Sequence, residues 1–262
     1  MTRAALCGLA ASVVLLAGCG GTTVRVASTS FTSGGHRLEA YMVTPSGGGR
    51  HPAVVLVHGS GGDRSELLRP ARALASKGIV AMTITEPSTS HPPKPVTTVP
   101  ALLAETKGSA LADVAAVQRA ADVLAARSDV DPKRLGYLGW SAGAKTGALV
   151  AARDPRFRAL ALLSAGAQPV AKFVAAAPPS YRVAVGKALT AVDPITAIAK
   201  ARPGTILLEN GRRDAIVPHS ALLNIVRAAP GGTTVRWYAA GHALDRAAFR
   251  DAERWLERRL TQ

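Results

Sequence analysis

Three residues with the makings of a nucleophilic catalyst follow one another along the chain: Ser141, Asp214 and His242. Ser141 lies in Gly139-Trp140-Ser141-Ala142-Gly143, a G-x-S-x-G pattern whose small flanking residues let the backbone turn sharply and lift the hydroxyl. A serine hydroxyl is a poor nucleophile until a neighbouring base takes its proton. His242 carries an imidazole that does so near neutral pH, and a carboxylate such as Asp214 accepts the other ring N–H and fixes the tautomer. Upstream, His58-Gly59-Ser60-Gly61-Gly62 offers glycines that let backbone N–H groups approach a carbonyl oxygen. The acid role has no rival after the Ala159–Leu163 run, because residues 164 to 170 hold no carboxylate.

A second motif competes for the same residues. Gly139 to Thr146 reads G-W-S-A-G-A-K-T against the phosphate loop G-x-x-x-x-G-K-[ST]. Lys145 and Thr146 fit, but Ala144 replaces the second glycine, and no apolar strand ending in aspartate follows to hold magnesium. Lys145 then reads as an exposed residue in the first turn of a helix. His36, His51 and His91 sit in polar or proline-flanked loops, and their spacing suggests no metal site. His219 opens a helix as a cap or surface residue, and His58 reads as a brace for its glycine-rich loop. Trp140 reads as packing beneath the serine turn, and no cofactor is implied.

These residues need elements to carry them. Val24 to Phe31 and Leu38 to Thr44, separated by Ser33-Gly34-Gly35, read as a hairpin. Ala53 to Val57 is a continuous apolar run, suited to a strand buried on both faces. A helix over 66–77 stops at Gly78, and Ile79 to Thr85 is a second buried strand. Residues 86–100, rich in Pro, Ser and Thr, read as a loop. Residues 110–127 follow as a helix with Leu111, Val114, Val117, Ala121 and Leu124 on one face. Strands over 134–139, 159–163, 205–208 and 233–238 then alternate with helices over 142–153, 220–228 and 245–260. Such alternation predicts one α/β domain with a parallel sheet covered on both sides, and ligands bind at the C-terminal edge of such sheets. Residues 168–203 have room for a small lid, with Phe173 and Tyr181 as pocket walls, or for a crossover helix and long loop.

The chain resembles the α/β-hydrolases, most closely the dienelactone hydrolase-like branch, over nearly all of residues 24–262. The resemblance rests on the His58-Gly59 turn, Val130-Asp131-Pro132 before Arg134-Leu135-Gly136, and the serine elbow. Asp193-Pro194-Ile195, Asp214 followed by Val217-Pro218, and Gly241-His242 complete it. It implies a mostly parallel eight-stranded sheet with helices on both faces. It also implies Ser141 as nucleophile, Asp214 as acid, His242 as base, and the backbone N–H groups of Ser60 and Ala142 as oxyanion donors. Dienelactone hydrolases proper use cysteine where this chain has Ser141, and many relatives carry Gly-Gly where it has Gly143-Ala144. The expected activity is hydrolysis of small or medium carboxylic esters through an acyl-enzyme. An acyltransferase with the same triad and a noncatalytic binding lipoprotein on this fold remain the alternatives.

The first residues read as an address. Arg3 precedes an apolar stretch to Ala17, the pattern of a secretory signal. Leu16-Ala17-Gly18-Cys19 resembles the bacterial lipobox, which implies cleavage after residue 18 and lipid on Cys19; a plain secretory signal is the alternative. Residues 19–23 would then be a linker whose last four residues span roughly 14 Å at most. That places the domain at the bacterial cell envelope, anchored to membrane. Cys7 has no such context, so no disulfide framework is expected.

Composition narrows the rest. The 262 residues are 48% hydrophobic and 19% charged, which excludes extensive disorder. The net charge of +15 invites nucleic acid, but aromatics are only 4% and no binding motif occurs. Arg246, Arg250, Arg254 and Arg258 step along the last helix opposite an apolar face of Phe249, Ala252, Leu256 and Leu260. That stripe reads as a solvated face, or as a contact with anionic lipid headgroups.

Overall fold

The computed structural model describes residues 14–16, 23–92 and 95–262. Cys7, Cys19 and most of the expected signal and linker lie outside the described residues. The described strands are β1 (Val14–Leu16), β2 (Val24–Ser33), β3 (His36–Pro45), β4 (His51–Val57), β5 (Val80–Ile84), β6 (Val130–Trp140), β7 (Phe157–Leu163), β8 (Ile206–Gly211) and β9 (Thr234–Tyr238). They form one sheet in the order β1-β2-β3-β5-β4-β6-β7-β8-β9. The pairs from β5 to β9 are parallel, and those joining β1, β2, β3 and β5 are antiparallel. This is the α/β-hydrolase fold. Its eight-stranded sheet runs from β2 to β9, with β1 as a short extra edge strand inside the segment read as an export signal.

The helices are α1 (Leu68–Ala75), α2 (Pro87–Ser90), α3 (Val99–Ala125), α4 (Ala142–Ala151), α5 (Val170–Ala176), α6 (Arg182–Thr190), α7 (Pro194–Ile198), α8 (His219–Ala228) and α9 (Arg246–Thr261). Side chains alternate across a strand, and β4 shows why its sequence is apolar from Pro52 to Val57. Ala53, Val55 and Val57 face a core containing Val117, Ala121 and Leu124 of α3 and Ala148 of α4. Val54 and Leu56 face the opposite core, with Leu74 of α1 and Trp255, Leu256 and Leu260 of α9. Both faces of the strand are dry.

The β2–β3 hairpin closes through Gly34 and Gly35, both at positive φ (55° and 81°). That is the backbone a two-residue hairpin turn needs to match the twist of its strands. The expected loop over 86–100 holds the short α2, and α3 begins at Val99 rather than at residue 110. Thr98 caps that earlier start by accepting the Ala101 N–H at 3.3 Å, and Pro100 fits a first helical turn, where its missing N–H costs nothing. On α3 the buried stripe holds Asp113, Ala116 and Ala120 with the expected Val114, Val117, Ala121 and Leu124, while Leu111 is exposed. Residues 168–203 form α5, α6, α7 and a short 3-10 turn at Pro179–Tyr181. On α9 Phe249 is only half-buried; Ala248, Ala252, Trp255, Leu256 and Leu260 make the buried face. All four stripe arginines are exposed.

Candidate active site

The strand-to-helix turn between β6 and α4 forces Ser141 to φ 56° and ψ −108°. Such a conformation costs a side-chain-bearing residue about 1–3 kcal/mol, so neighbours must impose it. They do so by contact. A Cβ on Gly139 would lie 2.4 Å from the Gly143 carbonyl oxygen, and one on Gly143 would lie 2.4 Å from that of Val57. The Ser141 N–H donates to Leu163 O at 2.8 Å and the Gly143 N–H to His58 O at 3.0 Å. The buried Tyr137 hydroxyl donates to Gly143 O at 2.6 Å. Small residues are required because three strands and a helix start converge on one turn.

The structure brings the three distant residues together. His242 Nε2 lies 2.8 Å from Ser141 Oγ, and His242 Nδ1 lies 2.8 Å from Asp214 Oδ2. The Asp214 side chain is 1% exposed and that of His242 14%. Burial alone would raise the Asp214 carboxyl. The Val217 N–H, His242 and the Ile216 N–H outweigh it and hold the carboxyl below its ordinary range. Those backbone donors bind Oδ1, each at 2.9 Å, which leaves Oδ2 to the imidazole. An ionised Asp214 accepts the hydrogen bond from Nδ1–H, so Nε2 is the acceptor that faces the serine hydroxyl.

The histidine backbone is held as firmly as its ring. The His242 carbonyl accepts from Trp140 Nε1 at 3.0 Å and from Ser164 Oγ at 2.8 Å. Trp140 therefore does more than fill space under the elbow. Its ring also lies 5.4 Å from that of His242, and a Cβ on Gly59 would meet it at 2.7 Å. Ser164 has φ 54° and carried no signal in the sequence beyond following a strand.

The glycine-rich loop after β4 is braced from two sides. His58, 1% exposed, accepts the Glu86 N–H at Nε2 (3.2 Å), which leaves its proton on Nδ1 to donate to Gly59 O at 2.6 Å. The Gly59 N–H donates to Glu66 Oε2 at 2.8 Å. Ser60 and Ala142 then lie on the wall of one cavity of about 940 Å³. Among the described residues neither of their N–H groups has a protein acceptor.

That open cavity is lined by residues of α2, α3, α4, α5, α6 and α7, with Leu102, Leu103, Leu149 and Leu189 among its apolar surfaces. Phe173 lines it; Tyr181 is not part of the wall. Lys145 is exposed on its edge, and the Thr146 hydroxyl donates to Glu86 Oε1 at 2.8 Å. An acid thus occupies the place where a phosphate loop would hold magnesium and phosphate. His219 is exposed beside Trp237, their rings 4.9 Å apart.

Solved structures share this architecture at low identity. A cold-adapted esterase from an Arctic intertidal metagenomic library, in a PEG-bound complex, superposes with a TM-score of 0.70 at 19% identity, covering 96% of this chain and 100% of that one. Acetyl xylan esterase 1 from Thermoanaerobacterium sp. JW/SL YS485 gives 0.70 at 16% identity, covering 95% and 88%. A Klebsiella pneumoniae subsp. pneumoniae MGH 78578 chain assigned as a dienelactone hydrolase gives 0.67 at 20% identity, covering 91% and 99%. No curated protein matches the chain. The family model for PET hydrolase-like proteins matches residues 8–193, a span that includes Ser141 and ends before Asp214 and His242. By that match over well more than half of its length, and with the fold and elbow described above, the chain belongs to the PET hydrolase-like family.

Proposed function

We propose that the protein is a serine hydrolase that cleaves small or medium carboxylic esters. The observation that carries this reading is the continuous line from Asp214 through His242 to Ser141, with both contacts at 2.8 Å. In the first step His242 Nε2 takes the hydroxyl proton while Ser141 Oγ bonds to the ester carbonyl carbon. The N–H groups of Ser60 and Ala142 receive the developing oxyanion. A donor in that role is worth roughly 3–4 kcal/mol. The alkoxide leaves with the proton from His242. Water then attacks the acyl-enzyme as His242 takes its proton, and the imidazolium gives that proton to Ser141 Oγ as the acid is released. Asp214 stabilises the imidazolium in both halves.

The family's name speaks of PET and the neighbours' names of esters and acetylated xylan. The cavity of about 940 Å³ beside Ser60 and Ala142 has room for a limb of a small or medium ester. Ethyl and p-nitrophenyl esters of two to eight carbons test the reading. Release of acid and alcohol in equal amounts by the wild type, abolished in Ser141→Ala, supports it; no turnover on any of them overturns it. Transfer to an added alcohol in preference to water would favour the acyltransferase reading.

The reading extends to location. The lipobox-like Leu16-Ala17-Gly18-Cys19 supports export and a lipid anchor at Cys19. The exposed arginines of α9 suit a face laid against anionic headgroups, each contributing roughly 1 kcal/mol near such a surface. Globomycin-sensitive processing of the precursor and low-salt binding of the unlipidated domain to anionic vesicles are the expected results. Processing that leaves a cysteine-free N-terminus, or indifference to the vesicles, contradicts the respective part.

A further inference from the structure

The cavity beside the elbow is lined by two carboxyl groups that the proposed chemistry does not use. Glu86 is 2% exposed and Asp113 7%, and both line the cavity. Glu86 Oε1 is held by Thr146 at 2.8 Å, whereas its Oε2 has no protein donor among the described residues. Asp113 Oδ1 accepts the Ser88 N–H at 3.0 Å. Among the described residues no lysine or arginine forms an ion pair with either acid. A buried acid without an ion pair is costly; among the described residues Lys145 supplies the only charge that offsets that cost at Glu86, and it does so without a direct contact.

We propose that Glu86 and Asp113 form a specificity subsite for a hydroxyl group on the limb of the ester that fills the cavity. The proposal rests on Ser141 being the nucleophile. Three features favour a hydroxyl over an ammonium. Burial, and next the charge of Asp113, push the Glu86 carboxyl up to about 8, so near neutrality the pair keeps a proton and offers both a donor and an acceptor. A hydroxyl is likewise both. Lys145 stands on the same wall and repels a cation. Ser88, Thr89, Thr106 and Ser109 add hydroxyls to the lining of the same cavity, beside the apolar Leu102, Leu103, Leu149 and Leu189. The reach is set by α4. Thr146 stands five residues beyond Ser141, about 7–8 Å along the helix axis, which a chain of five or six carbons covers.

The test compares ethyl hexanoate, ethyl 6-hydroxyhexanoate and ethyl 6-ammoniohexanoate. A matching set on the alcohol limb uses hexyl acetate, 6-hydroxyhexyl acetate and 6-ammoniohexyl acetate. On one limb the wild type is expected to show a kcat/KM at least tenfold higher for the hydroxyl compound than for the plain one. In Asp113→Asn and Glu86→Gln, each checked by thermal melting, that ratio should fall toward one. Equal rates for plain and hydroxylated esters on both limbs overturn the proposal, as does preference for the ammonium compound or a ratio the variants leave unchanged. If the plain esters are not cleaved at all, the esterase reading has failed rather than the subsite alone.

Discussion

Removing the two donors to the His242 carbonyl tests whether backbone anchoring of the base matters to the chemistry. Ser164→Ala deletes a hydroxyl that donates at 2.8 Å but keeps the Cβ, so the positive-φ backbone is unchanged. Trp140→Phe deletes the indole N–H at 3.0 Å and part of the ring against His242. A neutral hydrogen bond contributes about 1 kcal/mol net, and an orphaned buried carbonyl costs about 1–3 kcal/mol. Each single variant still leaves the carbonyl one donor, so each should slow turnover by about 1 kcal/mol, roughly fivefold. The double variant leaves none, so its loss should exceed the product of the singles by about 1 kcal/mol. The assay is kcat and KM on ethyl hexanoate, with the rate of fluorophosphonate inactivation as a measure of the acylation step alone and melting curves as a fold check. We expect kcat and inactivation to fall together with KM nearly constant. Independent effects in the double variant, or a loss seen only in KM, would refute the claim that these two donors jointly position the base.

Further predictions follow from the same contacts. Gly143→Ala should abolish activity and lower stability by about 3 kcal/mol or more, because its Cβ would lie 2.4 Å from Val57 O. Gly108→Ala, where nothing lies within 4 Å of the added Cβ, should instead raise stability by about 0.5–1 kcal/mol; denaturant melts distinguish the two. Asp214→Asn should keep the fold and lower kcat by about 10⁴-fold through the wrong imidazole tautomer, measured against plain esters. Glu209 is fully buried, and that burial raises its carboxyl to about 8 despite Tyr238 and Arg236. A raised carboxyl keeps its proton in the folded state, so its contribution is complete below the unfolded value and is lost as pH climbs to about 8. Stability should decline across pH 5–8 by up to about 1.4 kcal/mol per pH unit from this group, and less steeply in Glu209→Gln; parallel slopes in urea melts would contradict it.

The parts of this molecule that could be read from the chain are those whose signal is local. The Ala53–Val57 run of β4 is apolar at every position because both of its faces are covered, and no distant partner is needed to see that. The serine turn, the Gly241-His242 pair and Asp214 fall just after strands, so their order already placed them at one edge of a parallel sheet. What stayed hidden depends on long-range contact. Ser164 and Trp140 meet the His242 carbonyl across 78 and 102 residues, and neither has a type or spacing that announces it. Glu86 looked like one more polar residue in a loop, and only its burial against Asp113 and Thr146 gives it meaning. The early start of α3 was masked by Pro100 and Gly108, residues that weaken helix propensity although Thr98 supplies the cap. Leu111 lies outside the buried face of the same helix because the helix packs through small residues, Ala116 and Ala120, that hydrophobic spacing underweights.

The whole account turns on Ser141 being the atom that bonds to substrate. Intact-mass and peptide mass spectrometry after treatment with a fluorophosphonate addresses that without knowing the natural ester. The predicted result is a single phosphonyl adduct, mapped to the peptide containing Gly139-Trp140-Ser141 and absent from Ser141→Ala. An adduct that persists in the folded variant, or a folded wild type that forms none, would contradict it.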